Sequence, residues 1–407
     1  MQKFRILAVL EFVIASNCVG ATTSVDRAAD ANAGITVATY YFGNYHPDDP
    51  RNDERMGKGW TEWKLVERAK PRFPGHQQPK VPAWGYTNES DPNVMAQKIA
   101  AAADHGIDAF IFDWYYFDDG PFLRGALESG FLRAPNHNRL KFAVMWANED
   151  WIDIFPVKHG VVPKIFNRGR VTPETFQRIG DYLIRFYFRN PDYWRVNGKP
   201  YFSIYDLESL VASFGSVRET RAALDQLRFK AKVAGLPGLH LNAVAWGTIM
   251  LPKQQAPVDV GKLVSDLGFD SVTSYTWAHH VQLPKLQSDY SEARDQYFAY
   301  WDRAKMLFKI PYYPNVTMGW DGTPRAYEVM GGGNTLSGNT PARFREALQL
   351  TKERLLAEPN GQRVLNINAW NEWTEGSYLE PDKTYGMQYL EAVRDVFADQ
   401  HPLAAGR

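Results

Sequence analysis

Residues 91–117 read DPNVMAQKIAAAADHGIDAFIFDWYYF, and this stretch contains one helix and one strand of the predicted fold. Asp91 stands before a proline, so a capping side chain precedes the first position of a predicted helix, Pro92–His105. Gly106 stands where that helix should end. The apolar and aromatic run Ala109–Phe117 that follows is typical of a β-strand.

The same alternation of apolar runs and helical patterns continues along the chain. Eight runs are predicted to be strands: Ile35–Tyr41, Ala109–Phe117, Phe142–Ala147, Tyr201–Tyr205, Leu239–Trp246, Ser271–Trp277, Tyr313–Met318 and Val364–Trp370. Eight segments have helical patterns: Pro92–His105, Pro121–Leu132, Pro173–Asn190, Val217–Ala234, Val258–Leu267, Glu292–Lys309, Pro341–Ala357 and Tyr385–Ala398. This alternation predicts an α/β protein, a single (β/α)8 TIM barrel over residues 33–400. The barrel needs only about 250 residues, so a long loop is expected after strand one, at residues 42–91.

The composition argues against several classes of protein. Lysine and arginine total 46, and aspartate and glutamate also total 46, among 407 residues. That balance argues against a nucleic-acid partner or an anionic membrane surface. A hydrophobic fraction of 44% excludes wholesale disorder. The 13 Trp, 21 Tyr and 23 Phe residues must therefore fill a large core or line a binding cleft.

Residues 1–21 have the pattern of a secretory signal peptide. Positively charged residues precede a mostly apolar stretch, Ile6–Ala15, and small residues lead to an expected cleavage after Ala21. Cys18 leaves lipid anchoring open as the alternative, and as the only cysteine it excludes an intrachain disulfide. No other stretch is long and apolar enough to cross a bilayer. The mature protein is therefore expected to be secreted or periplasmic, with no stable membrane insertion.

The predicted strands end in aromatic residues beside carboxylates or amides, at the end of a TIM barrel where active sites lie. Aromatic faces pack on the C–H faces of sugars, and carboxylates and amides bind hydroxyls. The pattern favours a carbohydrate cleft over its alternative, an aromatic cap on the barrel core. The candidate sugar-binding residues are Tyr41, Asp113, Trp114, Tyr115, Trp146, Asn148, Glu149, Tyr205, Trp246, Tyr275 and Asn371, with Trp60 and Glu62 from the first loop. A structural role is the alternative for Asp113, Asn148 and Glu149, and a solvated loop turn is the alternative for Trp60 and Glu62.

The most informative motif is Asn366–Asp382, NINAWNEWTEGSYLEPD. Strand alternation places Trp370 and Glu372 on one polar face, which carries Glu372 to the barrel rim, and Glu375 follows three residues later. Two carboxylates this close can divide into an acid and a base, because like charges push their pKa values apart. The alternative is that one of them caps a helix or pairs with an arginine.

The run Asn371–Gly376, NEWTEG, resembles the catalytic motif of glycoside hydrolase family 99, the endo-α-mannosidases. The chain also resembles a related group of family-99-like proteins, often labelled lipopolysaccharide-biosynthesis glycosyltransferases, over about residues 36–395. The shared segments are Tyr40-Tyr41, Gly57–Trp63, Pro74–His76 with Gln78-Pro79, Trp146–Glu149, Asn368–Trp373 and Tyr378–Pro381.

This resemblance implies a retaining mechanism without a covalent sugar ester. Glu372 would take the proton of the substrate 2-hydroxyl, which then attacks the anomeric carbon and forms a 1,2-anhydro sugar. Glu375 would protonate the leaving oxygen and then activate the water that opens the anhydro ring. The implied resting state has Glu372 ionised and Glu375 protonated, whereas the usual retaining scheme makes one carboxylate a nucleophile.

The expected partner is therefore an α-linked, mannose-type glycan substrate, and no cofactor or metal is expected. His279 and His280 have no third ligand at a metal-binding spacing, and the Gly331–Gly333 run lacks the rest of a phosphate-binding loop. Two other functions stay open. One is a glycosyltransferase of surface-polysaccharide synthesis, and the other is a carbohydrate-binding barrel without catalysis. The sequence leaves the sugar, the linkage and the oligomeric state undetermined.

Overall fold

The computed structural model describes residues 34–158, 160–247, 259–326, 334–358 and 361–397. The predicted signal peptide, Cys18, and the predicted barrel ends at residues 33 and 400 lie outside the described residues. Within these ranges, no helix has both the length and the apolar character that a membrane crossing requires.

Among the described residues, eight parallel strands form the barrel. They are β1 (Thr36–Tyr41), β2 (Ala109–Phe117), β3 (Lys141–Trp146), β4 (Lys199–Ile204), β5 (His240–Val244), β6 (Ser271–Thr273), β7 in two pieces (Tyr312–Tyr313 and Asn315–Thr317) and β8 (Val364–Asn368). Neighbours pair in chain order and β8 pairs with β1. The first piece of β7 pairs with β6 and the second with β8, which closes the barrel. The predicted (β/α)8 architecture is confirmed.

Ten α-helices accompany the strands in the ranges that the structure describes. They are α1 (Pro50–Met56), α2 (Trp63–Arg68), α3 (Pro92–Asp104), α4 (Pro173–Leu183), α5 (Leu207–Phe214), α6 (Val217–Val233), α7 (Val260–Leu267), α8 (Tyr290–Leu307), α9 (Pro341–Ala357) and α10 (Gln388–Phe397). Short strands lie in the loops: Gly120–Phe122, Trp151–Ile152 with Ile165–Asn167, Arg195–Val196, Gln287–Asp289 with Thr335–Ser337, and Asn371–Glu372 with Ser377–Tyr378. The long loop after β1 contains α1 and α2 and is therefore partly helical.

The predicted helix starts are confirmed by their caps. The side chain of Asp91 accepts a hydrogen bond from the backbone N–H of Asn93 at 2.8 Å. Thr172 and Thr340 act in the same way at the starts of α4 and α9. In each case the proline that follows has no N–H to leave unpaired at the first helical position.

The predicted helix Pro121–Leu132 is wrong as an α-helix. Gly120–Phe122 pairs back on β2 as a short antiparallel strand, and Gly125–Gly130 winds as a wider π-helical turn. Glycine has a low helix propensity, and both end glycines of this turn allow close packing on the long loop. A Cβ atom at Gly125 would lie 2.6 Å from the ring of His46. The segment therefore follows the shape of that loop.

Candidate active site

Glu372 lies in a hairpin directly after β8. The short strands Asn371–Glu372 and Ser377–Tyr378 pair antiparallel, so Glu375 lies in the turn between them. The Glu372 side chain is only 4% exposed. Its Oε1 lies 3.0 Å from the Tyr275 hydroxyl, which is also 2.9 Å from Oδ2 of Asp113.

One phenol hydroxyl thus contacts two carboxyl groups. A phenol has a single proton to donate. When Tyr275 donates to one carboxylate, its contact with the other is a hydrogen bond only if that second carboxyl carries a proton. The geometry therefore favours a shared proton among Asp113, Tyr275 and Glu372.

Arg325 supplies the positive charge of the site. Its guanidinium lies 2.6 Å from Oε1 of Glu375, 2.7 Å from Oε1 of Glu62 and 3.4 Å from Oε2 of Glu372. An arginine partner was the alternative that the sequence left open for the two hairpin glutamates, and the structure contains that partner. One guanidinium faces three carboxyl groups, so a single positive charge cannot neutralise all three if they are ionised.

Glu62, a predicted sugar-binding residue, holds this arginine in place. It is fully buried. Its Oε1 accepts a hydrogen bond from the Thr374 hydroxyl at 2.6 Å, and its Oε2 accepts one from the Asn44 amide at 2.9 Å. Its carboxylate oxygens are thus engaged with the protein, and the contacts indicate that it positions Arg325.

The pKa values of the acids are raised despite Arg325. Burial raises the pKa of Glu372 well above its usual range, and the charge of Glu375 adds to this effect. Burial also raises the pKa of Glu375, where Arg325 opposes it. The pKa of Asp113 is raised well above its usual range, again chiefly by burial. The raised values mean that the removal of these carboxyls from water outweighs the attraction of one cation.

These directions differ from the implied resting state. The resemblance implied an ionised Glu372 and a protonated Glu375. In this structure burial raises the pKa of both glutamates, but Glu375 lies 2.6 Å from the Arg325 guanidinium and Glu372 lies 3.4 Å from it. The closer cation stabilises an ionised Glu375, so this geometry favours the proton on Glu372, beside the Tyr275 hydroxyl.

The loop after β7 carries Arg325 across the barrel mouth. The backbone N–H of Asp321 donates to the carbonyl oxygen of Glu375 at 2.6 Å. The backbone N–H of Val157, in the loop after β3, donates to the carbonyl oxygen of Arg325 at 2.7 Å. Arg72 of the first loop contacts the carbonyl oxygen of Ala326. Contacts from three loops thus fix the arginine next to the glutamates.

Four of the predicted aromatic residues lie around the acids or next to them inside the mouth. Tyr275 packs edge-on against Tyr205 at 5.7 Å, and Tyr205 stacks with Trp246 at 6.2 Å. Tyr115 is close enough to Asp113 for that acid to raise its pKa, although burial is the larger cause. Predicted Trp60 packs edge-on against Phe155 at 5.5 Å in the loops above.

Glu149, another predicted sugar-binding residue, is half-buried near Asp113. Its charge adds to the effect of burial in raising the pKa of Asp113.

Trp114 and Trp146 are placed differently from the prediction. Successive strand residues point to opposite faces, so the inward Asp113 leaves Trp114 facing outward. Trp114 packs at 6.0 Å against Tyr182 on α4. Trp146 is fully buried against Phe176 of the same helix. Both indoles lie between the barrel and its helices, away from the acids.

A profile of the family described as Glycosyltransferase WbsX matches residues 37–393. The chain belongs to this family. It is 30% identical over 372 residues to the uncharacterized protein WxcX of Xanthomonas campestris pv. campestris, in strains B100 and ATCC 33913. The alignment covers 88% of this chain and 49% of WxcX, so the chain spans about half the length of these curated relatives.

Solved structures share the fold of this WbsX-family chain. A glycoside hydrolase family 99 endo-α-mannosidase from Bacteroides thetaiotaomicron aligns with a TM-score of 0.54 and 15% identity, over 89% of this chain and 96% of that one. A glycoside hydrolase-like protein aligns with a TM-score of 0.56 and 16% identity, over 90% and 95%. The resemblance to family-99-like proteins, stated from the motifs, is thereby confirmed at the level of fold.

Two further motif residues of the WbsX-family chain lie behind the hairpin. The amide of Asn371 donates to the carbonyl oxygen of Phe42 and to Oε1 of Glu89, both at 2.7 Å. The hydroxyl of Tyr41 also donates to Oε1 of Glu89, at 2.8 Å. Lys98 bridges Glu89 to Glu380, which accepts hydrogen bonds from the indoles of Trp370 and Trp373. This buried network positions the hairpin. Of its members, the sequence predicted only Tyr41 and Asn371 as site residues.

Asn148, predicted to bind sugar hydroxyls, fastens two strand ends together. Its amide donates to the carbonyl oxygen of Asp206 at 2.6 Å and accepts from the N–H of Asp206 at 2.8 Å. We expect Asn148→Ala to lower the free energy of unfolding by about 1–3 kcal/mol, because two buried backbone groups lose their partner. Urea unfolding measures this change. A raised KM without loss of stability would show instead that Asn148 binds the substrate.

His279 and His280 lie beside the aromatic residues and hydroxyls of the mouth. His279 is 3.4 Å from the Tyr205 hydroxyl, and burial lowers its pKa to about 3. His280 lies 2.7 Å from the Ser274 hydroxyl. Across the ranges that the structure describes, no three His, Cys, Asp or Glu residues gather as a metal site would require. The Gly331–Gly333 run lies outside those ranges.

Proposed function

We propose that this WbsX-family protein hydrolyses an α-linked glycan, with Glu372 and Glu375 as its acid–base pair. The observation that carries the proposal is geometric: both carboxyls lie on one hairpin at the barrel mouth, share one guanidinium with Glu62, and Glu372 also contacts the Tyr275 hydroxyl. Burial raises the pKa of both carboxyls although Arg325 opposes it, so the pair can keep a proton. A pair of acids that holds a proton at the mouth of a barrel can exchange it with a substrate.

The chemistry follows the family-99 resemblance. Glu372 removes the proton of the 2-hydroxyl, whose oxygen attacks the anomeric carbon while Glu375 gives its proton to the leaving oxygen. Water then gives a proton to Glu375 and adds to the anomeric carbon. The bond from that carbon to the 2-oxygen breaks, and the oxygen regains its proton from Glu372. The first step needs an ionised Glu372 and a protonated Glu375, so we propose that the bound sugar replaces Arg325 at Glu375 and that the proton favoured at Glu372 moves to Glu375.

The test is digestion of a glycan panel that includes α-mannan, with product analysis. We expect reducing ends to appear without any nucleotide sugar. A parallel reaction supplies nucleotide sugars and an acceptor glycan. Sugar transfer in that reaction alone would make the protein the glycosyltransferase that its family description names. Glycan binding without any product would make it a binding barrel. Secretion or a periplasmic location stays a prediction from residues 1–21.

Tyr275→Phe is expected to lower kcat by about 100-fold, the size of effect found when one donor is removed from a transition-state site. The change removes the only hydroxyl that links Glu372 to Asp113 among the described residues. Steady-state kinetics on the cleaved glycan measure the effect. Tyr300→Phe is the matched control, since Tyr300 lies on α8 and stacks on His280. Equal kcat in the two variants would remove Tyr275 from the proposed proton network.

A further inference from the structure

A cavity of about 210 Å³ lies beside the hairpin. Its lining includes His76 and Lys80 of the first loop, Trp320 and Asp321 of the loop after β7, and Gly376 of the hairpin. Gly376 adjoins Glu375 in the chain, so the cavity begins one residue from the proposed acid. A typical pocket for a drug-sized ligand is about 300–1,000 Å³, so this cavity suits a single sugar ring better than a longer segment.

The wall of the cavity is built and fixed by hydrogen bonds. Oδ2 of buried Asp321 accepts from the Gln78 amide at 2.7 Å and lies 2.8 Å from Nε2 of His76. The hydroxyl of Thr323 donates to Oδ1 of the same residue at 2.6 Å. Gly376 is required by this packing, because a Cβ there would lie 2.7 Å from that of Asp321. The wall therefore keeps its shape without a ligand.

Lys80 has the properties of a ligand-binding group. Its ammonium makes no hydrogen bond or ion pair with any residue that the structure describes. Burial lowers its pKa, while Asp321 and Asp382 act in the opposite direction. A half-buried ammonium that no acceptor of the described residues engages can donate its hydrogen bonds to a ligand in the cavity. Two nearby carboxylates disfavour an anionic ligand, so a neutral hydroxyl is the fitting acceptor.

Trp320 completes the chemistry of a sugar site. It is half-buried and lines the same cavity. Indole faces pack on the C–H faces of a pyranose, and polar groups around them fix its orientation. We infer that this cavity is a second sugar subsite, which binds one neutral pyranose of the glycan next to the linkage that is cleaved. The inference rests on the proposed function for the identity of the ligand.

Binding of α-mannobiose and α-mannotetraose to the Glu375→Gln protein tests the subsite without turnover. Isothermal titration is expected to show mannotetraose bound at least about 10-fold more tightly than mannobiose, the effect of one added polar contact with its packing. Lys80→Met and Trp320→Ala, each added to that protein, should reduce mannotetraose affinity to the mannobiose level. Lys64→Met, at an exposed position on α2, is the matched control and should change nothing.

The outcomes separate this inference from the proposed function. Unchanged mannotetraose affinity in both cavity variants overturns the subsite, even if the wild type hydrolyses glycans. Loss of the preference in those variants supports it, even if hydrolysis is never seen. Failure of mannotetraose to bind overturns it. Tighter binding of methyl α-D-glucuronide than of methyl α-D-mannoside would also overturn it, because the inferred ligand is neutral.

Discussion

Glu372→Gln and Glu375→Gln are each expected to lower kcat by about 10²–10⁴-fold, the range that general acid–base groups contribute. Glutamine keeps the size of the side chain and can still accept a hydrogen bond from Tyr275 at position 372. It cannot take up or release a proton. Each variant therefore removes proton transfer while it leaves the hairpin and the barrel core in place.

The measurement is the rate of reducing-end release from the glycan that the wild type cleaves. Glu67→Gln, at an exposed position on α2, is the matched control and should keep full activity. An aryl α-glycoside with an acidic phenol needs no proton on its leaving oxygen. It should restore the first step to Glu375→Gln and not to Glu372→Gln. Rescue of Glu372→Gln instead of Glu375→Gln would exchange the two proposed roles. Full activity on the natural glycan in one of these variants would remove the substituted residue from the mechanism.

Stability gives an independent check on the same variants. A buried acid with a raised pKa adds its full contribution to stability only below its unfolded pKa, and that contribution is lost as pH rises through the folded pKa. For Glu372 the loss begins above about pH 4.3, the usual glutamate value. Glu372→Gln removes this dependence. The melting temperature of the variant, relative to the wild type, should therefore increase between pH 5 and pH 8.

Arg325→Met is expected to have the second largest effect, because it leaves Glu62, Glu372 and Glu375 without their cation. Loss of one partner of a buried ion pair typically costs about 3–5 kcal/mol of stability. Arg325 lowers the pKa values of Glu372 and Glu375, so both values should rise in the variant. Activity needs an ionised base and a protonated acid, and both limbs of the pH–rate profile should move to higher pH.

The profile of kcat/KM against pH measures this shift. Arg325→Lys keeps a positive charge and loses the planar fork that reaches three carboxyls, so it should lie between the wild type and Arg325→Met. Arg345→Met, at an exposed position on α9, is the control and should leave the profile unmoved. A profile that stays in place in both Arg325 variants would show that Arg325 does not set the charge of the pair.

The positions of the strands could be predicted because the barrel buries both faces of each one. Every residue of β2 is buried, and a strand buried on both faces reads as a continuous apolar run. The strand ends were harder to place. The motif suggested that the alternation of β8 continues through Trp370 to Glu372, but the strand ends at Asn368, so that alternation does not apply beyond it.

A position at a strand end predicts that a residue lies near the mouth of the barrel. It does not predict whether the side chain points into the barrel or out toward the helices. Asp113 and Tyr275 were predicted on that basis, and the Tyr275 hydroxyl contacts both Asp113 and Glu372. Trp114 was predicted in the same way and faces the helices. Alternation along β2 places Asp113 and Trp114 on opposite faces of the strand, because successive residues point to opposite sides. An inward Asp113 therefore requires an outward Trp114. That rule would have corrected the prediction from sequence alone.

Arg325 could not be found from the sequence. It precedes Glu375 by 50 positions and stands in a loop without a motif. Its contact with the acids depends on the path of that loop, which the hydrogen bonds of Asp321 and Val157 fix. A contact that depends on the path of a long loop produces no hydrophobic periodicity or motif in the sequence around Arg325. The same holds for Lys98, whose buried contacts with Glu89 and Glu380 join three separate segments.

The most direct test of the proposed acid–base pair is a crystal structure of the Glu375→Gln protein with α-mannotetraose bound. We predict one glycosidic linkage in the barrel mouth, with its oxygen within hydrogen-bonding distance of the side chain at position 375. The neighbouring 2-hydroxyl should lie at the same distance from Glu372, and Arg325 should no longer contact position 375. An oligosaccharide bound away from both side chains, with Arg325 still in place, would contradict the account.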